Sequence, residues 1–300
     1  YSGLKASILS DFLQMAVILI VGGVIVFGAV SAGGGLEMVW KGLNGKSGTY
    51  TDLFSGDGLN VFYTFGLPVT IGLLAGPFGD QSFWERTWAI KKPVVQSSFV
   101  IAAFLFGIVP LTLSVLGFLA AGMGMQPTNV SQVNMETVVK LLPAWVFVPF
   151  LYLLLSGLVS TLDSRLASIA SLGGHDLLMR MKGAGEHGKK DVMLYSKGSM
   201  LILVLGGIAI ANIPGLTILY LFVFYGTLRA STLLPTIITL LKKEVSEPGM
   251  FWGIFTSLLI GLPIFAYGNL YKIVPMIIGG SLFTVLASGI IVLLASTVRN

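Results

Sequence analysis

The chain has 300 residues, of which 55% are hydrophobic and 10% are charged, whereas an average soluble domain carries about 25% charged residues. It contains no cysteine, which excludes disulfides, thiol nucleophiles and cysteine-ligated metals. The net charge of +5 comes from basic residues in short loops between apolar runs, so it does not indicate nucleic acid as a partner.

Several uninterrupted apolar runs reach the roughly 20 residues that a helix needs to cross a bilayer. Backbone groups in lipid must be paired internally, so the runs predict helices and an all-α polytopic membrane protein. We predict eight spans, at residues 6–30, 61–79, 94–119, 144–172, 199–213, 216–241, 250–267 and 273–298. The fifth and sixth are separated at residues 211–215, where Pro214 and Gly215 favour a tight turn.

Lysine and arginine in the loops predict the orientation of the spans. The basic residues at one set of span ends are Lys5, Arg86, Lys91, Lys92, Arg180, Lys182, Lys189, Lys190, Lys197, Lys242, Lys243 and Arg299. The opposite ends hold only Lys41, Lys46, Lys140 and Lys272. The first set is therefore expected in the cytoplasm, with the C-terminus, if the protein resides in a plasma (cell inner) membrane.

Two outer loops are long. Residues 33–60 are glycine-rich and polar, and residues 123–143 contain a short amphipathic stretch at 135–142. That stretch either lies over an outer vestibule or is an ordinary surface helix.

The second span ends in Gly-Pro-Phe-Gly at residues 76–79. Such a sequence can interrupt a membrane helix and expose backbone groups to a central site. Asp80 and Gln81 follow directly and would then face a substrate. The alternative is a kink followed by an interfacial anchor, with Trp84 at the headgroups and Arg86 extending its charge to water.

Serines recur at spacings of four and three in the fourth span, at Ser156, Ser160, Ser164, Ser168 and Ser171. They form one polar stripe on a helix, and small residues on such a stripe also permit close helix packing. Sodium is a hard cation that prefers several oxygen ligands. The neighbouring hydroxyls of Ser160 and Thr161, with a backbone carbonyl near Gly157, could supply about three of them, leaving the rest to another helix.

Ionisable groups inside spans are costly and therefore candidates for function. Asp163 either guides a cation toward the cytoplasm or pairs with Arg229 of the sixth span. Asp11 and Gln14, near the inner end of the first span, either line an ion path or form the helix entrance.

Signatures of enzymes fail or are absent. His175 and His187 do not have metal-ligand spacing. Residues 183–190 nearly match a phosphate-binding loop, but Lys190 stands where Ser or Thr is needed and no strand precedes them. We therefore expect no enzymatic activity.

Three segments of the chain resemble the sodium:solute symporter family, whose members carry proline, pantothenate, sugars, urea and iodide. Residues 2–14 are similar to the Gly-Gly-Leu-x-Ala…Thr-Asp-x-x-Gln entry to the fifth core helix, with Ser2 and Ser10 replacing Gly and Thr. Residues 80–89 are similar to the Asp-Gln-x-x-x-x-Arg-x-x-Ala segment that ends the sixth. Residues 160–177 are similar to the Ser-Thr-x-Asp-Ser…Asp-Leu segment of the eighth.

The resemblance implies a fold of two inverted five-helix repeats with flanking helices. Residues 1–300 would form a single membrane domain with the fifth core helix, the second repeat and two further helices, and the first repeat would be missing. The implied function is sodium-coupled symport of a small polar solute, with the sodium ion co-transported and the lipid bilayer as surroundings. The alternative is the membrane sensor module of a signalling protein built on the same fold.

The resemblance also implies site residues. Gly157 (through its carbonyl), Ser160 and Thr161 would form the eighth-helix half of the family's sodium site. Asp11 matches a position tied to a second sodium site in some members, and Asp163 stands where those members carry a hydroxyl.

A second set of implied positions lies at the end of the sixth core helix. Asp80, Gln81 and Phe83 fall near substrate-contact or inner-gate positions of the family.

Overall fold

The computed structural model describes residues 3–45, 48–183, 188–242 and 244–297. Within these ranges the chain is helical without a β-strand, and eight helices are long and apolar enough to cross a membrane. The predicted all-α, polytopic membrane architecture is confirmed. Ser2, Lys46, His187, Lys243 and Arg299 lie outside the described residues.

The α-helices, in chain order, are α1 (Gly3–Ala32), α2 (Gly35–Leu43), α3 (Gly56–Val61), α4 (Leu67–Gly79), α5 (Gln81–Ala89), α6 (Val95–Gly122), α7 (Val133–Leu141), α8 (Phe147–Ser171), α9 (Leu178–Lys182), α10 (Lys189–Ala211), α11 (Ile218–Ala230), α12 (Leu233–Leu241), α13 (Glu247–Thr256), α14 (Leu262–Tyr271) and α15 (Val274–Thr297). Three π-helical turns join α3 to α4, α8 to α9 and α13 to α14, at Phe62–Gly66, Leu172–Leu177 and Ser257–Gly261. Each therefore lies inside one continuous membrane-length helix.

Each predicted span corresponds to one membrane-length helix, but three differ clearly from the prediction. The fourth continues past its predicted end at 172 to Lys182. The fifth begins at Lys189, ten residues before the predicted start of 199, because hydropathy marks only the apolar part of a helix. The sixth is broken into α11 and α12. At the break, the Ser231 and Thr232 hydroxyls donate hydrogen bonds to the carbonyls of Leu228 and Arg229, both at 2.8 Å.

Contacts divide the chain into two compact units. Unit 1 comprises residues 1–48 and 87–213, and its helix α1 packs against α8 and α6. Its core contains Ala29, Leu116, Leu119 and Phe150, each fully buried. The amphipathic stretch predicted at 135–142 is helix α7, which packs on α6.

Helix α2 was not predicted and lies in the glycine-rich, polar segment at residues 33–60. It packs against α6 with Gly42 and Gly122 at the crossing. A Cβ at Gly42 would collide with the Phe118 carbonyl oxygen, so the two backbones are in direct contact.

Unit 2 comprises residues 49–86 and 214–300. Here α4 packs against α11, while α13 and α14 pack against α15. Its buried core includes Val223, Phe265 and Ile277. Where α4 meets α11, a Cβ on Gly72 would lie 2.5 Å from the Cα of Gly226, so only glycine permits this approach.

Candidate functional site

The closest polar contact between α1 and α8 in unit 1 is made by Asp11. Its Oδ1 accepts a hydrogen bond from the Ser160 hydroxyl at 2.5 Å, and its Oδ2 accepts one from the Ser164 hydroxyl at 3.3 Å. Ser160 and Ser164 are one helical turn apart, so they present their hydroxyls on one face of α8. The carboxylate therefore bridges two members of the predicted serine stripe.

A second carboxylate joins the same two helices. The Ser10 hydroxyl lies 3.3 Å from Asp163 Oδ2 and also 2.9 Å from the carbonyl oxygen of Ser7. The side chain of Asp11 is half-buried and that of Asp163 is exposed. Two acids and three serines thus gather where α1 and α8 meet.

Thr161 points away from this cluster. Its hydroxyl donates to the carbonyl oxygen of Gly157 at 3.0 Å, and its side chain is exposed, whereas Ser160 is half-buried. Neighbouring helical residues are about 100° apart around the helix axis. Ser160 accordingly turns to α1, while Thr161 and the Gly157 carbonyl share the exposed side of α8.

Ser156 and Ser168, two other members of the stripe, are buried. Their small side chains fit the helix-packing interpretation of the stripe. Ser156 and Ser168 therefore fit helix packing, whereas Ser160 and Ser164 make polar contacts with Asp11.

The second span, in unit 2, is interrupted at Asp80, which is one of the two alternatives that the sequence left open. Helix α4 ends at Gly79, Asp80 is extended with φ −116° and ψ 115°, and α5 begins at Gln81. Asp80 Oδ1 accepts hydrogen bonds from the Ser82 backbone at 3.1 Å and from the Ser82 hydroxyl at 2.7 Å. Asp80 is thus an N-cap of α5, which is what a short acidic side chain favours at that position.

The other oxygen of Asp80 pairs with Arg229. Asp80 Oδ2 lies 3.1 Å from the Arg229 Nη2, and both side chains are largely buried. Arg229 also lies over the Tyr225 ring, with its Cζ 5.0 Å from the ring centroid, and against Gly76. The suggested pairing of Asp163 with Arg229 is therefore wrong, since the arginine is bound to Asp80.

Gln81 and Phe83 lie half-buried in the first turn of α5, beside this ion pair. Trp84 spans the interruption, because its indole Nε1 donates to the Phe78 carbonyl at 3.0 Å. The sequence suggested Asp163 and not Asp80 as a partner of Arg229. Two opposite charges in otherwise apolar spans were the available signal, since such charges pair with one another.

Among the residues that the structure describes, no group of three or more His, Cys, Asp or Glu side chains could hold a metal ion.

Comparison with known proteins finds a curated relative, the sodium/pantothenate symporter of Haemophilus influenzae. It is 25% identical over 290 residues, which cover 93% of this chain and 58% of that protein. The chain thus spans less than two thirds of the length of this relative. No solved structure matches the chain significantly. The family model of the sodium:solute symporter family matches residues 1–257, and the chain belongs to that family.

Proposed function

We propose that this chain forms part of a sodium-coupled symporter that carries a small polar solute, with sodium as the co-transported ion. Membership of the family supports this function. The main structural support is the contact between Asp11 and Ser160. A half-buried carboxylate that bridges hydroxyls of a neighbouring helix is an arrangement suited to a cation. The process is vectorial transport without bond chemistry. Each charge that moves through 100 mV supplies about 2.3 kcal/mol.

The proposed sodium ligands on α8 are the Gly157 carbonyl and the hydroxyls of Ser160 and Thr161. The 3.0 Å hydrogen bond between Thr161 and Gly157 already holds two oxygens side by side on an exposed helix surface. Sodium would replace the hydroxyl proton as the partner of the carbonyl. The remaining ligands would come from a helix that covers this side of α8.

Asp11 and Asp163 are proposed to form an ion path beside those ligands. Ser160 links the two features, because it is adjacent to Thr161 and bonded to Asp11. A cation leaving the Thr161 side of α8 would meet two carboxylates within one to two helical turns.

At the interrupted end of α4, we propose that Asp80, Gln81 and Phe83 belong to a gate. Asp80 is bound to Arg229 and Ser82, so it would act by fixing the ends of α4 and α11 rather than by binding the solute. Gln81 and Phe83 follow it in the first turn of α5 and would contact a passing solute.

The proposed setting is a plasma (cell inner) membrane, with the lysine-rich ends of the spans and the C-terminus in the cytoplasm. We further propose that α1 corresponds to the fifth core helix of the family fold, and the later spans to its second repeat and two further helices. Pantothenate is the first solute to test, because the curated relative is a sodium/pantothenate symporter.

The experiment is uptake into vesicles that contain the protein at its natural length, with an imposed sodium gradient. Pantothenate is tested first, then proline, a sugar and urea. Sodium-stimulated uptake of one of them is expected, and its absence for every member of the panel would overturn the proposal.

The same assay tests the ligands. Removing a hydroxyl that contacts a charge costs roughly 1.5–3 kcal/mol, so Ser160→Ala and Thr161→Ala should raise the half-saturating sodium concentration about ten- to hundredfold. Ser156→Ala and Ser168→Ala are the controls, since both serines are buried members of the same stripe. Four overlapping sodium curves would remove the sodium site from α8.

A further inference from the structure

Helix α10 of unit 1 carries a surface groove of about 640 Å³ along its first half. No residue of α10 is buried by the described chain, so the groove is open along the helix. Its lining, which lies wholly in the described part of the chain, is basic at the start of the helix and apolar further along. It contains no acidic residue.

The groove lies on the side of α10 that is turned away from α8. The packed side of α10 holds Ser196, whose hydroxyl donates to the Ala170 carbonyl at 2.8 Å, and Ser199, which lies against Gly173. Ser199 comes nine residues after Lys190, so the two residues lie about 180° apart around the helix axis. The lysine therefore faces the surroundings of unit 1 rather than its core.

Three lysines give the groove its charge. Lys189, Lys190 and Lys197 are exposed, and within the described ranges none of them pairs with an acid. Asp191 is the one acid of α10, and Lys182 already holds its carboxylate at 3.0 Å. The positive charge of the groove is thus not compensated by its own helix. Lysine ammonium groups are common partners of phosphate.

The other half of the groove is apolar. Met193, Leu194 and Leu201 are each more than half exposed, and Gly198 beside them leaves open space where a side chain would stand. A soluble phosphate compound would leave this apolar surface uncovered, whereas an acyl chain would cover it. The apolar run of the predicted fifth span begins at Ser199, so the lysines precede the segment that the sequence places in hydrocarbon.

We propose that this groove binds an anionic phospholipid. The phosphate of the lipid lies against the three lysines, and one acyl chain follows the apolar half of the groove past Gly198. Lys197 keeps its methylene groups on the apolar surface and extends its ammonium group toward the headgroup. In the proposed orientation the lipid comes from the inner leaflet, whose anionic lipids attract basic segments. The inference goes beyond symport and is independent of the sodium ligands on α8.

Lipid binding is measured by native mass spectrometry of the purified protein, at its natural length, released from detergent micelles. The probes are phosphatidylglycerol, which carries one negative charge, and phosphatidylcholine, which carries no net charge, with the same acyl chains. Each lysine near an anionic lipid contributes a severalfold gain in affinity. We therefore expect phosphatidylglycerol to bind about ten- to hundredfold more tightly than phosphatidylcholine.

The decisive variant combines Lys190→Gln with Lys197→Gln, because both side chains are exposed and glutamine is compatible with a helix. It should weaken binding of phosphatidylglycerol about ten- to thirtyfold without lowering the thermal unfolding temperature. The matched control combines Lys91→Gln with Lys92→Gln, which removes the same charge from exposed positions of unit 1 on the same predicted side of the membrane. It should leave binding unchanged.

Gly198→Leu tests the position of the acyl chain. A Cβ at this position meets no atom within 4 Å, so the leucine fills part of the groove without disturbing the protein. Binding of phosphatidylglycerol should weaken severalfold. The thermal unfolding temperature should not fall, because leucine is a better helix former than glycine.

Equal binding of the two lipids would overturn the proposal, as would equal losses in the two double variants, since net charge alone would then explain the effect. Unchanged binding in Gly198→Leu would remove the acyl chain from the groove and overturn the proposal as well. Complete displacement of the lipid by an equal concentration of glycerol 3-phosphate would instead identify a site for soluble phosphate compounds. A dimer that Gly198→Leu dissociates would show that a second copy of the chain covers this face.

Discussion

Asp80 and Arg229 form a buried ion pair in which Oδ2 and Nη2 are 3.1 Å apart and the side chains are 3% and 14% exposed. The remaining oxygen of Asp80 accepts two hydrogen bonds from Ser82. Arg229 precedes the end of α11 by one residue, and Asp80 follows the end of α4 directly. The pair therefore fastens the ends of these two helices together.

We predict that Arg229→Met lowers the free energy of unfolding by about 3–5 kcal/mol, because Asp80 is then left buried without its cation. Adding Asp80→Asn should restore part of the loss, since neither charge remains. Chemical unfolding in detergent micelles measures both. Lys189→Met, at the exposed start of α10, is the control. Equal losses in the single and double variants would contradict the ion pair.

The glycine contact between α4 and α11 gives a second prediction. Gly72→Ala places a methyl group 2.5 Å from the Cα of Gly226, and a backbone atom cannot yield without separating the helices. We expect a loss of about 1–3 kcal/mol in unfolding free energy. Gly107→Ala in α6 meets no atom within 4 Å and should be neutral or slightly stabilising. Matching losses at the two positions would show that the close approach is not required.

A third prediction concerns the coupling of Asp11 to Ser160. Because the two are hydrogen-bonded, Asp11→Asn and Ser160→Ala together should shift the sodium dependence of uptake no more than the stronger single change. Thr161 bonds elsewhere, so Asp11→Asn with Thr161→Ala should multiply the separate shifts. Multiplicative shifts in both pairs would mean that the Asp11–Ser160 contact has no role in sodium binding.

The fourth prediction is topological and rests on the asymmetry of basic residues in the loops. Single cysteines in this cysteine-free chain, at Lys46 and Lys190, should react with a membrane-impermeant maleimide from opposite sides, with Lys46 outside. Lys46 lies outside the described residues, so Lys140→Cys on α7 provides a second outer position. Labelling of Lys46 and Lys190 from the same side of sealed cells would overturn the proposed orientation.

Hydropathy predicts the spans because a helix that crosses the hydrocarbon core of a bilayer needs about 20 predominantly apolar residues. It does not predict what lies beyond the apolar segment, such as the start of α10 at Lys189. It also misses interruptions at which the polar side chains bond carbonyls of the same helix. Ser231 and Thr232 satisfy their hydroxyls within the broken helix itself, so the sixth span looks continuous in sequence.

The sequence identified candidate residues of the site, but it did not show which side chains they contact. The adjacent hydroxyls at Ser160 and Thr161 suggested one ligand group, but the sequence did not show that Ser160 donates to Asp11 and Thr161 to the Gly157 carbonyl. The glycine–proline sequence before Asp80 left two alternatives open, an interruption or a kink, and in the structure α4 stays helical through Pro77 and ends at Gly79. The burial of Asp80 could not be read from the same residues, because its partner Arg229 is 149 positions away.

That separation has a consequence for the order of synthesis. Helix α4 enters the membrane with the Asp80 carboxylate at its end, and the guanidinium that neutralises it is made 149 residues later. At about 5–20 residues per second, the interval is roughly 7–30 s. During this time Asp80 Oδ1 can already accept hydrogen bonds from Ser82, but Oδ2 depends on water or on the insertion machinery in place of Arg229. Assembly of unit 2 can therefore be completed only when α11 arrives, which makes this ion pair a late step in the biogenesis of the protein.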